Sequence, residues 1–373
     1  MTRMDNAREV VERDLEHIHA KAGRAFEAMA GKRLLVVGGA GFLGYYLVQS
    51  VVAWNRAAEP ARRIELLVFD NFIRGVPAWL TAQEGTPGFT LARHDISRPL
   101  PGGMPDLHFI VHAGSIASPI YYRQHPIETM DANVNGLRSL LEYARAQSEK
   151  GKPVEGFLFY SSSEIYGDPT PENIPTPETY RGNVSCTGPR ACYDESKRYG
   201  ETLCVNFARR HGIPVKVARP FNHYGPGLKL TDGRLIPDLA RDILAGRDIA
   251  LLSDGSPKRT FCYVADAIAG YYLLLTEGAS GEAYNIGTET PEISVADLAG
   301  KLADMAAGLT GYRGKVTRAE SADRDYLVDN PERRCPVITK AREAFGYDPS
   351  IGLDEGLRRT LIWYRENREG TEA

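Results

Sequence analysis

Leu34-Leu35-Val36-Val37-Gly38-Gly39-Ala40-Gly41-Phe42-Leu43-Gly44 is the stretch that decides the fold. Four consecutive apolar residues suit a strand buried on both faces, and the glycines after it make a tight turn into a helix over 42–54. Such a turn lets backbone N–H groups approach a pyrophosphate at the helix N-terminus, where the dipole favours anions. The run from Leu34 to Trp54 holds no formal charge over 21 residues, long enough to span a bilayer. Its four glycines, Gln49 and Ser50 favour strand, turn and helix over a membrane span.

Outward from this stretch the same alternation repeats. Short apolar runs at 64–69, 89–93, 109–112, 156–160 and 215–219 suit buried parallel strands, and helical patterns occupy 127–149 and 194–211. The expected architecture is α/β: a Rossmann-type doubly wound parallel sheet with a smaller mixed α/β C-terminal substrate domain. Past Pro220 the texture turns to Gly- and Pro-rich turns with shorter elements. The expected boundaries are a helical extension at 1–30, a dinucleotide-binding domain at 31–222 to which 262–290 returns, and a substrate domain at 223–373. Val11, Leu15, Ile18, Ala22, Phe26 and Met29 form a stripe for docking on the body or on another subunit. The polar tail after Trp363 is expected to fray.

The chain has 373 residues, 43% of them hydrophobic and 25% charged, an ordinary globular balance. Its net charge of -3 excludes a globally basic nucleic-acid binder. Five cysteines without a CxxC pair argue against a disulfide framework or structural zinc and fit a reducing cytoplasm. His17, His19, His94, His108 and His125 show no metal-ligand spacing, so no metal is expected. The N-terminus has acidic residues and no apolar core, unlike a signal peptide.

Asp70 ends the second strand, where a carboxylate accepts hydrogen bonds from an adenosine ribose and repels a 2′-phosphate. This favours NAD over NADP, with Arg74 as the competing signal. Asp95 and Ile96 follow the third strand and either flank an adenine or make a turn. Tyr193 and Lys197 stand at i and i+4 on one helical face. An ammonium there is expected to lower the tyrosine pKa, so that the phenolate takes a proton from a substrate hydroxyl. Cys192 beside the tyrosine reads as packing. Before this pair, Tyr160-Ser161-Ser162-Ser163-Glu164-Ile165-Tyr166-Gly167 lies at a strand end.

With these motifs, and with TGPRACYDESKR at 187–198, ARPFNHYGP at 218–226, DGR at 232–234, KRTFCYVADA at 258–267 and RRCP at 333–336, the chain resembles the extended short-chain dehydrogenase/reductase family over roughly residues 32–365. Within its nucleotide-sugar branch it is similar to the UDP-glucuronate decarboxylases. The resemblance implies tightly held NAD at Gly38, Gly41, Phe42, Leu43, Asp70, Asn71, Asp95 and Ile96, with Ser161, Asn133, Tyr193 and Lys197 nearby. It implies that Ser162 hydrogen-bonds the sugar 4-hydroxyl, that Ser163 and Glu164 follow it in the reactive loop, and that Arg259 serves decarboxylation. It also implies substrate contacts at Ser118, Tyr122, Arg190, Asn222, Arg234, Arg259 and Arg334, with Asn222, Arg234 and Arg334 toward the nucleotide or its phosphates. A homodimer and a nucleotide-sugar partner follow, with neither nucleic acid nor membrane. Departures stand at 112–119, at His223 and at Val337.

In the 4,6-dehydratases of this family an aspartate fills the position of Ser163 and protonates the leaving C6 hydroxyl. A serine is a poor acid for that task. A uronic acid needs none: once C4 is a ketone, the substrate is a β-keto acid and the ketone accepts the electrons left by departing CO₂. The implied activity is conversion of UDP-glucuronate, through a 4-keto intermediate, to UDP-xylose or the 4-keto pentose. A 4-epimerase, a 4,6-dehydratase and a non-catalytic NAD sensor are the alternatives.

Overall fold

The structure, a computed structural model, describes residues 4–321, 328 and 330–368. Seven parallel strands form the central sheet: β1 (Arg33–Val37), β2 (Glu65–Asp70), β3 (Phe89–Arg93), β4 (Phe109–His112), β5 (Gly156–Tyr160), β6 (Val215–Pro220) and β7 (Ala283–Ile286). Their order is β7-β6-β5-β4-β1-β2-β3, so direction reverses between β1 and β4, the crevice where doubly wound sheets bind ligands. Successive side chains point to opposite faces. Leu34, Val36, Val111 and Leu158 therefore pack into one apolar cluster, and Leu35, Val37, Ile110 and Phe157 into another.

Helix α1 (Ala7–Met29) precedes the sheet, α2 (Phe42–Ala57) follows the glycine turn, and α3 (Leu137–Glu149) and α4 (Ala191–His211) cover the second face. Helix α4 begins three residues before the expected start, which puts Tyr193 in its first turn. Helix α5 (Val264–Glu277) is buried for most of its length between the sheet and α1, and α6 (Leu353–Glu366) closes the chain. Beyond β6 the short strands Lys258–Arg259, Ile293–Ser294 and Arg333–Arg334 make a small separate sheet. Among the described residues no helix is long and apolar enough to cross a membrane, and all five cysteines are free.

Helix α1 docks on the body of its own chain, against α5, α6 and α2. Its deepest positions are Val10, Asp14, Ile18, Ala22, Ala25, Phe26 and Met29, each at 0% exposure, while Val11 and Leu15 pack only partly buried. The expected stripe was thus rotated by one residue at its start, because a charged residue occupies the seam. Asp14 accepts hydrogen bonds from Tyr46 (2.5 Å), Tyr263 (2.6 Å) and Arg359 (2.6 Å). One carboxylate thereby joins α1, α2, the strand before α5, and α6. The tail stays helical to Glu366, whose carboxylate accepts from the Ala7 amide at 3.1 Å.

Removing one partner of a buried ion pair leaves the other charge uncompensated. Asp14→Ala should therefore destabilise the protein by about 3–5 kcal/mol in urea unfolding. A loss below about 1 kcal/mol, the scale of an exposed pair, would show that α1 is not braced through Asp14.

Candidate active site

The crevice between β1 and β4 opens on the glycine turn. Gly38 has φ +86°, a conformation that side chains resist, and a Cβ on it would lie 2.7 Å from the backbone of Gly114. A Cβ on Gly44 would meet the Gly39 carbonyl oxygen at 2.3 Å. Only bare backbone fits here, the cradle a dinucleotide pyrophosphate requires. Gly114 is itself one of the departures at 112–119, and a Cβ on it would press on the Val37 side chain at 2.9 Å.

Asp70 is fixed beside the turn by accepting from the Ala40 amide (2.9 Å) and the Phe72 amide (2.8 Å), and burial raises its pKa. Asn71 caps its own loop by accepting from the Ile73 amide at 3.0 Å. Asp95 makes the turn that sequence left as one option: it accepts from the Ser97 amide (3.0 Å) and hydroxyl (2.8 Å). Ile96 packs where a Cβ on Gly136 would sit. Arg74 is engaged elsewhere. Its guanidinium lies 3.6 Å from the Tyr121 ring centroid and 3.5 Å from Asp232, on the short helix Pro119–Gln124 and a later loop.

At the reacting end, the Ser162 hydroxyl lies beside the Tyr193 phenol and favours its ionised form. Tyr122 stacks on the Tyr193 ring with centroids 5.1 Å apart and planes 14° apart. Lys197, one turn along α4, places Nζ 5.5 Å from the Tyr193 ring centroid and donates to the Tyr160 carbonyl at 2.8 Å. The expected lowering of the tyrosine pKa is corrected by the structure. Burial raises the phenol to about 12 despite Ser162 and Arg234, and the same burial lowers the Lys197 ammonium to about 7. Desolvation penalises both charged forms more than their proximity favours them.

Asn133 lies in the π-helical turn Ala132–Gly136 ahead of α3 and donates to the Ser196 hydroxyl at 2.9 Å, which in turn donates to the Tyr193 carbonyl at 2.9 Å. Ser161 donates to Glu201 at 2.5 Å, and Arg219 holds Glu201 through two contacts of 2.9 and 2.6 Å. Glu201 was missed in the sequence, although it continues the Tyr193, Lys197 spacing by another i+4 step.

Glu164 carries the other cluster. Its carboxylate accepts from both Arg334 terminal nitrogens at 2.7 Å and from Arg190. Burial would raise this carboxyl, but the two arginines outweigh it and hold it well below the usual carboxylate range. Arg259 is the register partner of Arg334 in the small sheet. It donates to the carbonyls of Lys258 (2.8 Å), Glu332 (2.9 Å) and Pro331. Burial and the neighbouring Arg334 lower its pKa to about 9.

Asn222, at φ +46°, donates to the Thr260 carbonyl at 2.9 Å and receives Arg334 at 3.5 Å. Ser163 is buried in the turn Ser163–Tyr166. Ser118 and Arg234 instead tie two loops together: Ser118 donates to the Asp232 carbonyl at 2.6 Å, and Arg234 donates to the Ala117 carbonyl at 3.0 Å. Among the departures, His223 is buried against the Tyr271 hydroxyl at 2.6 Å, and Val337 bonds Thr176 and Asn285 only through its backbone.

Three comparisons bear on this site. The pattern of the NAD dependent epimerase/dehydratase family matches residues 34–287. UDP-glucuronic acid decarboxylase 5 of Arabidopsis thaliana is 35% identical over 325 residues, covering 87% of each chain. UDP-glucuronic acid decarboxylase 1 of Xenopus tropicalis is 33% identical over 342 residues, 91% of this chain and 73% of that protein. Among solved structures, the dTDP-glucose 4,6-dehydratase DesIV of Streptomyces venezuelae, with NAD bound, superimposes with a TM-score of 0.76. It is 27% identical and covers 91% of this chain and all of its own.

The position of Asp70 generates a cofactor prediction. Titrated against cofactor-free protein, NAD should bind more tightly than NADP, and Asp70→Asn should narrow the gap about tenfold, or about 1.4 kcal/mol. Arg74→Ala should leave the preference unchanged, since Tyr121 and Asp232 hold that side chain. A preference that shifts with Arg74 rather than Asp70 would contradict the assignment.

Proposed function

Because the chain belongs to the NAD-dependent epimerase/dehydratase family, we propose that it is an NAD-retaining decarboxylase of UDP-glucuronate. The observation that carries this reading is the charge balance beside Tyr193. Glu164 has two arginines on its carboxylate and a third, Arg259, behind Arg334. Three cations face two anions, Glu164 and the Asp194 carboxylate 3.8 Å from Arg190, and the excess positive charge suits a sugar bearing a carboxylate better than a neutral hexose. The relatives named for decarboxylation of UDP-glucuronate, each about a third identical over most of the chain, support the same substrate.

NAD held in the glycine cradle would supply a hydride acceptor for C4 and the donor for its return, so no external oxidant would be consumed. The residues of the chain do the rest. Gly38, Gly41, Phe42 and Leu43 leave the cradle open, Asp70 and Asn71 would hold the adenosine end, and Ser161 and Asn133 would support the nicotinamide end. Ser162 and Tyr193 share the 4-hydroxyl. The Tyr193 phenol, raised to about 12 by burial, first gives up its own proton to solvent, and the phenolate then takes the hydroxyl proton as C4 becomes a ketone. Stacking on Tyr122 fixes the phenol, while Lys197 supplies positive charge along the same helical face. The C5–C6 pair then moves toward the ketone as CO₂ departs, and the Arg259–Arg334 pair stabilises the enolate charge. Glu164 serves protonation at C5, and Tyr193 returns its proton as C4 is reduced.

Ser163, in the place of a dehydratase acid, supports decarboxylation over loss of water. Asn222 and Arg234 belong to the nucleotide diphosphate end, with Ser118 holding the loop that carries Arg234. The enzyme works as a cytoplasmic homodimer through the helices of the dinucleotide-binding half.

Incubation with UDP-glucuronate should give a nucleotide sugar lighter by CO₂ in mass analysis. An unchanged mass with an altered sugar would favour a 4-epimerase, and loss of water from a nucleotide hexose a dehydratase. Tyr193→Phe should keep NAD bound and lose at least about a hundredfold in rate, the scale of a positioned acid–base group. Near-normal turnover in that variant would remove Tyr193 from the chemistry.

A further inference from the structure

The arrangement of Glu164 raises a difficulty that the decarboxylase reading leaves open. A carboxylate gripped by two arginines holds no proton, and three of its roughly four acceptor sites are already taken. Arg190 donates to its Oε2 from the residue before α4, one turn from Tyr193, and Arg334 grips both oxygens from the small sheet of the C-terminal region. Both guanidinium groups are nearly closed off from solvent, with side chains 10% and 11% exposed, and Glu164 is 18% exposed. Arg190 also keeps a buried Nε without a hydrogen-bond partner, and its nearest further carboxylate, Asp194, lies 3.8 Å from that atom. The donor capacity of this pair exceeds what Glu164 satisfies.

Planar guanidinium groups bind carboxylates in a two-pronged manner, and one carboxylate can replace another on them. We propose that Glu164 is an internal stand-in for the carboxylate of the substrate: the C6 carboxylate takes Arg190 and Arg334, and Glu164 is thereby released as the proton carrier for C5. This rests on the decarboxylase reading and gives Arg190 a specificity-determining role.

The sequence of events balances. On the free enzyme Glu164 neutralises the arginines. On binding, the uronate carboxylate replaces it, and the freed Glu164, still in a buried setting that favours its neutral form, takes up one proton from solvent. After C4 oxidation the C5–C6 bond breaks, its electron pair forms the enolate, and C6 leaves as neutral CO₂. The arginines have then lost their anion. Glu164 gives its proton to C5 and returns to Arg190 and Arg334 as a carboxylate, which resets the site. One proton enters for each CO₂ that leaves. A neutral hexose cannot start this exchange, so Glu164 stays gripped.

The test is binding without turnover. NAD-loaded protein carrying Tyr193→Phe is titrated calorimetrically with UDP-glucuronate and with UDP-glucose, and the ratio of the two Kd values is the readout. Adding Glu164→Gln, which removes the competing charge, should raise the preference for the uronate about tenfold. Adding Arg190→Gln should lower it at least about tenfold, with UDP-glucose binding changed less than about threefold in both. Glu164→Ala and melting curves guard against misfolding, because a collapsed site would weaken UDP-glucose as well.

An unchanged or diminished preference in Glu164→Gln overturns the exchange. So does an Arg190→Gln that weakens both sugars alike, the behaviour of a diphosphate clamp. The failure of the underlying reading is separate: wild-type protein would then release no CO₂ from UDP-glucuronate and the Tyr193→Phe protein would show no preference for it. Release of CO₂ by the wild type together with no uronate preference would overturn the exchange alone.

Discussion

Everything at the reacting end of this protein is organised around one largely buried carboxylate, Glu164, held between Arg190 and Arg334. The interaction crosses the molecule. Arg190 belongs to the start of the helix that carries Tyr193 and Lys197, Glu164 to the turn after the fifth strand, and Arg334 to the small sheet that also carries Arg259. Breaking a buried pair by exposing one uncompensated charge costs about 3–5 kcal/mol, so these three parts share one arrangement. Only a ligand that supplies a replacement anion opens that arrangement without the cost.

The fold serves this constraint from behind. The central sheet aims the ends of β1, β2 and β5 into one crevice, with the glycine turn at one side and the Ser162-Ser163-Glu164 turn at the other. Ser161 is anchored to Glu201, which Arg219 holds, so the start of the reactive turn is pinned to helix α4 and strand β6. On the far side Asp14 ties α1, α2, the strand before α5, and α6 to one another. Both devices bury a carboxylate among donors from several elements. They differ in that Asp14 faces the core, where nothing can exchange with it, and Glu164 faces the crevice.

Much of this frame was legible from local pattern. The apolar runs became parallel strands because period-two burial and flanking turn residues are properties of neighbouring positions, and the glycine turn announced itself by its place between strand and helix. Tyr193 and Lys197 were legible because i, i+4 spacing translates directly into a shared helical face, and Glu201 could have been found by one more step of that rule. The double grip on Glu164 was not legible. Its partners stand 26 and 170 residues away, and only the tertiary fold brings them together. The same holds for Arg74, whose position suggested a phosphate while its partners, Tyr121 and Asp232, lie on a short helix and a loop distant in sequence. Asp14 escaped because a charged residue in an apolar stripe reads as a break, and its three donors stand 32, 249 and 345 residues away. The tyrosine pKa went the other way from expectation because spacing reports proximity, whereas burial, which outweighs it here, is set by the whole fold.

The central claim is that a substrate carboxylate replaces Glu164 on Arg190 and Arg334. A crystal structure of the NAD-loaded Tyr193→Phe protein with UDP-glucuronate reads this directly. The account predicts both guanidinium groups on the C6 carboxylate and the Glu164 side chain released from them. Arginines still on Glu164, with the sugar carboxylate bound elsewhere or the diphosphate in its place, would contradict it.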